Sequence, residues 1–256
     1  MGSKGVRTGM EKKGVLAGNT ATGTIKWIAL IFMMIDHSGK MLFPGVPEMR
    51  MLGRIAFPLY CWALVVGCEF TSSMPRYLLR ILITGVISQP LYMIALNHTW
   101  QEPSVFLTLF LAMLGLWGIR EKKWGSFLWA PLLSISLATV LGADYGWRGV
   151  VLMILLYAAQ SDRGAIAAVM VAFFLFWGTS YSVTKSFFGL PINLSALPSF
   201  LSDPLSCFLR METYALLSLP FILIPIKKDL RMPRWIGYAL YPAHLLLIMA
   251  LKAILL

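Results

Sequence analysis

Charge is scarce in this chain. Only 13% of its 256 residues are Asp, Glu, Lys or Arg, whereas 58% are hydrophobic, and the mean hydropathy is +0.74. A water-soluble domain of this length needs more polar surface than that. Hydrocarbon is therefore the solvent that its outer face suits. The same composition excludes a disordered chain and a coiled coil. Cysteine is sparse as well. Cys61, Cys68 and Cys207 make no metal or redox spacing, and Cys61 and Cys68, seven apart on one apolar segment, read as packing residues. The three histidines, His37, His98 and His244, are too widely spaced to form a metal motif, so no metal is expected. A Gly-x-Ser-x-Gly elbow, HExxH, a P-loop and a Rossmann glycine pattern are all missing. Hydrolase, nucleotidase and dehydrogenase chemistry thus lack direct support. A cleaved signal peptide is not expected either, since the first long apolar run ends in IDHSGK and not in a small-residue cleavage site.

The net charge of +11 is distributed as in a membrane protein and not as in a nucleic-acid binder. Lys and Arg cluster in short breaks between apolar runs. Nine such runs predict an all-α, polytopic transmembrane bundle of about nine spans, within a range of eight to ten. They cover about 24–43, 53–70, 76–96, 103–119, 125–142, 147–159, 164–183, 211–226 and 235–255. Residues 1–23 read as a polar, basic cytoplasmic tail and 24–256 as one transmembrane domain. A stretch at 186–210, broken by Pro191, Pro198 and Pro204, reads as re-entrant or interfacial. Placing the tail and alternate breaks on one side puts 15 of the 22 Lys and Arg there, against 5 of the 11 acids. That asymmetry predicts a cytoplasmic N-terminus and an outer C-terminus.

Ionisable groups at membrane depth cost about 2.5–3.5 kcal/mol on insertion scales and by default mark function. Asp36 and His37 lie about twelve residues into the first run, roughly 18 Å at 1.5 Å per residue. Lys40 shares the face of Asp36, so a structural Asp36–Lys40 ion pair is one reading. Arg54 opens the second run, Gln89 lies in the outer half of the third, and Asp144 falls in the outer loop GADYGWRG. His244 follows the intramembrane Pro242. Their common depth, from distant stretches of chain, predicts a polar pocket in the outer half of the bundle. A histidine there suits a general base, a carboxylate suits its orientation or a cationic substrate, and Arg54 suits an anion or oxyanion. Acyl transfer to an amine or hydroxyl fits, although these residues alone do not single it out.

The chain resembles the TraX family of membrane proteins associated with N-terminal acetylation of conjugative F-type pilin. The matching stretches are IKWIALIFMMIDHSGKMLFP, MLGRIAFPLYCWAL, YLLRILITGVISQPLY, DYGWRGVVLMILLY and RWIGYALYPAHLLLI. They run from the first span to the last and place Asp36, His37, Arg54, Gln89, Asp144, Tyr241 and His244 at motif positions. The resemblance implies an inner-membrane acetyltransferase that uses acetyl-CoA and acts on a membrane-resident pilin subunit. On that footing His244 is the first candidate for the base and His37 the second, with Asp36 and Asp144 as carboxylate partners. Arg54, Gln89, Tyr241 and Lys40 are expected around the acceptor or the oxyanion. Acetyl-CoA would dock from the basic face, with its phosphates near Arg76, Arg80, Lys122, Lys123, Lys227 or Lys228.

Two other classes stay open at this level. Broken spans and mid-membrane charges also suit a transporter or flippase. A non-enzymatic pilus assembly factor would use the polar cluster as a docking groove. Within the enzyme class, a glycan hydroxyl or a lipid amine is an alternative acceptor.

Overall fold

The most deeply buried of the membrane-length helical stretches becomes the centre of the fold. In the computed structural model, which describes residues 16–255, helices α2 (Pro47–Gly53) and α3 (Ala56–Phe70) run almost end to end, and 78% of their most apolar window is buried. Before them comes α1 (Thr22–Met41). After them follow α4 (Met74–Leu96), α5 (Val105–Glu121), α6 (Ser126–Val140), α7 (Gly146–Ala159) and α8 (Arg163–Gly178). A two-residue antiparallel pair, β1 (Ser186–Phe187) with β2 (Leu190–Pro191), leads to α9 (Ser199–Phe208). A 3-10 helix at Met211–Ser218 continues into α10 (Leu219–Leu223), and α11 (Arg234–Leu255) ends the fold.

Each of the nine predicted runs carries helix. Among the described residues, three helical stretches can cross a membrane by length and composition: Pro47–Phe70, Met74–Leu96 and Trp235–Leu255. Helix α1 is long as well but carries Lys26, Asp36 and Lys40. The run expected at 211–226 is a shorter 3-10/α element, wedged against α8. Outward faces are apolar. Leu82, Ile83, Val86, Ile87 and Ile94 of α4 are exposed, as are Leu246, Leu247, Leu251 and Ile254 of α11. Unsatisfied backbone is absent from such faces in helices, so lipid can solvate them where water would not.

Spacing explains which face of α4 turns inward. Met74, Leu78, Ile81, Thr84, Ser88, Tyr92 and Ala95 recur every three or four residues and are buried. Small residues allow α5 and α6 to pack closely. A Cβ on Gly118 would overlap Ala130, and one on Gly115 would lie 3.2 Å from the Ser134 hydroxyl. Cys61 and Cys68 lie in the core beside Trp62, whereas Cys207 is exposed.

One stretch differs from the sequence expectation. The segment at 16–21, assigned to a polar tail, is packed into the bundle. Asn19 is 2% exposed, its backbone N–H donates to Ile222 O, its side-chain amide donates to Phe221 O, and its carbonyl accepts from Trp62 Nε1. One residue thereby ties the start of α1 to α3 and α10. The basic residues Lys4, Arg7, Lys12 and Lys13 of the expected tail lie outside the described residues. The Pro-broken segment at 186–210 is a hairpin and an amphipathic helix, with Phe188, Leu190 and Phe200 about 70% exposed. Glu48 of α2 anchors it by accepting the Phe188 backbone N–H at 2.5 Å.

Gly53 is required where α2 meets α1, because a Cβ there would overlap the Asp36 side chain. Gly53→Ala is expected to lower stability by about 1–3 kcal/mol through overpacking. A fall in the unfolding midpoint in detergent would check this, and an unchanged midpoint would refute it.

Candidate functional site

Three charges meet where α1 and α2 cross. Arg50 and Arg54 are one helical turn apart, so both side chains project towards α1. Arg50 donates to Asp36 Oδ2 at 2.7 Å and Arg54 to Asp36 Oδ1 at 3.1 Å. Arg54 also donates to Glu212 Oε1 at 3.0 Å, and its Nε reaches the Arg50 carbonyl at 3.3 Å. Glu212 is buried on the 3-10 helix, in a stretch whose apolar character hides its importance in the sequence. Two carboxylates and two guanidiniums thus compensate one another at one point of the bundle. The Asp36–Lys40 pair suggested by their spacing does not form; the Lys40 ammonium lies 2.9 Å from His98 Nε2.

The cluster opens into a cavity of about 330 Å³. Lys26 and Tyr238 line one end, and Lys40, His98 and Asp144 the other. Lys26 and Lys40 lie fourteen residues apart on α1, so the cavity follows the bundle for about 20 Å. Aromatic rings form much of its wall. Phe57 and Tyr145 stack in parallel with centroids 3.6 Å apart, and Tyr241 meets Phe106 edge to face at 4.7 Å. Tyr92 hydrogen-bonds to Asp144 and stacks on His98 with centroids 4.9 Å apart.

His37 and His244 form a direct pair. His37 Nδ1 lies 2.7 Å from His244 Nε2, and His244 Nδ1 lies 3.2 Å from the Leu240 carbonyl. A carbonyl only accepts, so neutral His244 carries its proton on Nδ1 and offers a lone pair at Nε2. His37 must then donate from Nδ1, which leaves its own Nε2 unprotonated. His37 lines the cavity, while His244 sits behind it at 4% exposure. Asp36 was expected to orient His37. The arginines occupy both of its oxygens, and the orienting group is His244.

The expected residues thus divide. Asp36, His37, Lys40, Arg54, Asp144 and Tyr241 all line the cavity. Gln89 does not; it staples the loop at 97–104, donating to the Glu102 carbonyl at 3.2 Å and accepting from Ser104 N at 2.8 Å. Arg76, Arg80, Lys122, Lys123, Lys227 and Lys228 do not line it either, and Lys123 pairs with Glu121 at 2.9 Å. The basic group at that end is Lys26, beside the loop whose Asp229 accepts from Thr24 N at 2.9 Å. Arg50, Glu212 and Lys26 are the additions that sequence reasoning missed. Arg50 had a signal, its four-residue spacing from Arg54. A second cleft of about 530 Å³ adjoins the first and shares Arg50, Arg54, Tyr181 and Glu212 with it.

Apolar helices of membrane-crossing length around a charged, histidine-bearing cavity mark a helical, membrane-associated protein with a buried polar site. The chain belongs to the TraX protein family, whose sequence model matches residues 21–252. It is similar to the probable fimbrial assembly protein FimC, serogroup H1, of Dichelobacter nodosus, with 32% identity over 155 residues, covering 55% of this chain and 63% of that one. It is 30% identical over 145 residues to the uncharacterized protein RP591 of Rickettsia prowazekii (strain Madrid E), covering 54% of this chain and 56% of that one. Protein TraX of Escherichia coli is 28% identical over 156 residues, covering 58% and 62%. The matched region therefore spans about three-fifths of the length of these relatives. No solved structure matches the chain.

The charge cluster should dominate stability. Arg54→Leu leaves Asp36 and Glu212 each short of a partner in a largely dry setting, and is expected to cost about 3–5 kcal/mol. Arg50→Leu should cost less, because Arg50 is 30% exposed and Asp36 keeps Arg54. Unfolding midpoints of the two variants would test the ranking, which a larger loss in Arg50→Leu would overturn.

Proposed function

We propose that the chain is a multi-pass inner-membrane acetyltransferase that moves an acetyl group from acetyl-CoA to the N-terminal amine of a processed pilin subunit. The single observation that carries this reading is the His37–His244 pair, with the free Nε2 of His37 on the cavity side. An oriented, neutral imidazole at the wall of a mostly apolar chamber is what a general base for acyl transfer requires. Membership of the TraX family supports the pilin connection, as does the name of the Dichelobacter relative.

The cavity suits the donor's narrow arm. At about 330 Å³ it lies at the small end of ligand sites, so it would admit a thioester chain but leave a nucleotide outside. Lys26 stands at that mouth, and Lys227 and Lys228 on the neighbouring loop are the remaining candidates for phosphate contacts. The proposal includes nine crossings with the Lys26 mouth facing the cytoplasm, where acetyl-CoA is made. The acceptor would arrive at the opposite end, near Lys40 and Asp144.

The lining charges suit an amine nucleophile. Lys26, Lys40, Arg50 and Arg54 outnumber Asp36, Asp144 and Glu212. Excess positive charge disfavours an ammonium and favours the neutral amine that attacks. His37 Nε2 would take the proton from nitrogen as the C–N bond forms. His244 would hold the His37 ring by accepting from Nδ1 and stabilise the imidazolium that results. Arg54, saturated by two carboxylates, is better placed to hold the helices than to meet the oxyanion.

With labelled acetyl-CoA, processed pilin and the purified protein in lipid, label should appear on the pilin N-terminus. His37→Ala should lower the rate by about 10²–10⁴. His244→Ala should lower it by a smaller factor, because Nε2 of His37 survives. A larger loss in His244→Ala would reverse the two roles. Absence of transfer and of CoA release in folded protein would refute the reaction.

A further inference from the structure

Acetylation of an ammonium yields a proton that has to leave the chamber. The acceptor nitrogen loses two protons as the C–N bond forms and the C–S bond breaks. One goes to the departing sulfur to give the CoA thiol, and one is released. We propose that Lys40, His98 and Glu102 form a relay that conducts this second proton from the cavity to the face opposite Lys26. The inference rests on the acetyltransferase reading given above.

The geometry is that of a chain of donors and acceptors. Lys40 lines the cavity three residues beyond His37, on the same helix. Its ammonium lies 2.9 Å from His98 Nε2, and it has no lone pair, so Nε2 accepts. His98 then carries its proton on Nδ1, which lies 3.2 Å from Glu102 Oε1, outside ideal hydrogen-bond geometry. The Glu102 side chain is 52% exposed and meets solvent. Proton uptake at Nε2 and release from Nδ1 would move one charge across the ring, and rotation of the ring between turnovers would return the N–H to the Glu102 side. Lys40, left as an amine, would accept the first proton from the acceptor ammonium and become its own resting form again. The second proton would pass through His37 to the sulfur.

The surroundings fit transit better than storage. The Thr99 backbone N–H and hydroxyl both donate to Glu102 Oε2, at 2.9 and 3.1 Å. They leave Oε1 for His98, and together with His98 they hold the carboxyl below its ordinary range, so that it sheds a proton to water. Tyr92 stacks on His98, and Gln89 clamps the loop from Glu102 to Ser104. This gives Gln89 a positioning role outside the cavity. The charged groups facing Lys40 are Arg50, Asp144, Asp36 and Arg54, and those at His98 are Lys40, Glu102 and Asp144. Among them, the path through His98 is the one that ends at an exposed carboxylate.

The test uses the full chain and processed pilin in sealed phospholipid vesicles at pH 7, where the CoA thiol stays protonated. Acetyl-CoA is added outside, so that only molecules with the Lys26 mouth outward turn over. Thiol release reports transfer, and membrane-impermeant indicators report protons on each side. One lumenal proton per acetyl group is expected. His98→Gln should slow both signals together by about tenfold or more, with an unchanged unfolding midpoint and partial rescue by imidazole. Transfer with protons emerging outside would overturn the relay, as would His98→Gln with wild-type turnover, while the acetyltransferase reading stands in both cases. Folded wild-type protein that transfers no acetyl group removes that reading and the relay with it.

Discussion

Everything in this fold accommodates one carboxylate, Asp36, held between two arginines within an apolar bundle. Burying an ion costs several kcal/mol, and the attraction of a partner repays this only when the geometry and remaining hydrogen bonds are good. Here Arg50 and Arg54 occupy both oxygens of Asp36, and Arg54 extends to Glu212, which is 158 residues away in sequence. Removing Arg54 would leave Asp36 and Glu212 each short of a partner, whereas removing Arg50 leaves Asp36 its second guanidinium. The cluster therefore fixes α1 against α2, and both against the 3-10 helix. Gly53 is the steric condition for that closeness.

Much of the architecture was legible because hydrophobicity and length decide where helices lie in such a chain. Each apolar run carries helix, and the turns fall in the charged breaks. The run at 211–226 holds a detail that hydropathy does not show, since it packs against α8 as a 3-10 turn around Glu212 before α10 begins. The segment at 16–21, read as part of a polar tail, differs from that reading, and Asn19 shows why. It is polar and close to a basic tail, yet its hydrogen bonds to Phe221, Ile222 and Trp62 are satisfied internally. Polarity marks solvent only when a residue has no partners elsewhere in the fold.

The site was partly legible for a related reason. Charges at membrane depth are costly enough to betray themselves, so Asp36, His37, Lys40, Arg54 and Asp144 could be singled out, and all five line one cavity. Their pairing could not be read in the same way. Spacing along α1 suggested Asp36 with Lys40, but Arg50 on α2 and Arg54 just after it take one oxygen of the carboxylate each. The order of the two histidines depends on which one meets the Leu240 carbonyl, a contact within α11 that sequence pattern does not reveal. The basic residues chosen for phosphate contact were picked by charge alone. Lys26, already inside the first helix, reaches the mouth.

The two adjoining cavities have one further consequence. Arg50, Arg54, Tyr181 and Glu212 belong to both linings, so the partition between the chambers is built from the same groups that brace the helices. Asp36 has two guanidinium partners. If the half-exposed Arg50 swings aside, Arg54 still neutralises the carboxylate, and no bare charge is left in the wall. Side-chain rotation of this kind takes place far faster than helix movement. A thoroughfare through the partition is thus compatible with a rigid bundle, because the brace is redundant at the one post that a passing molecule would have to push.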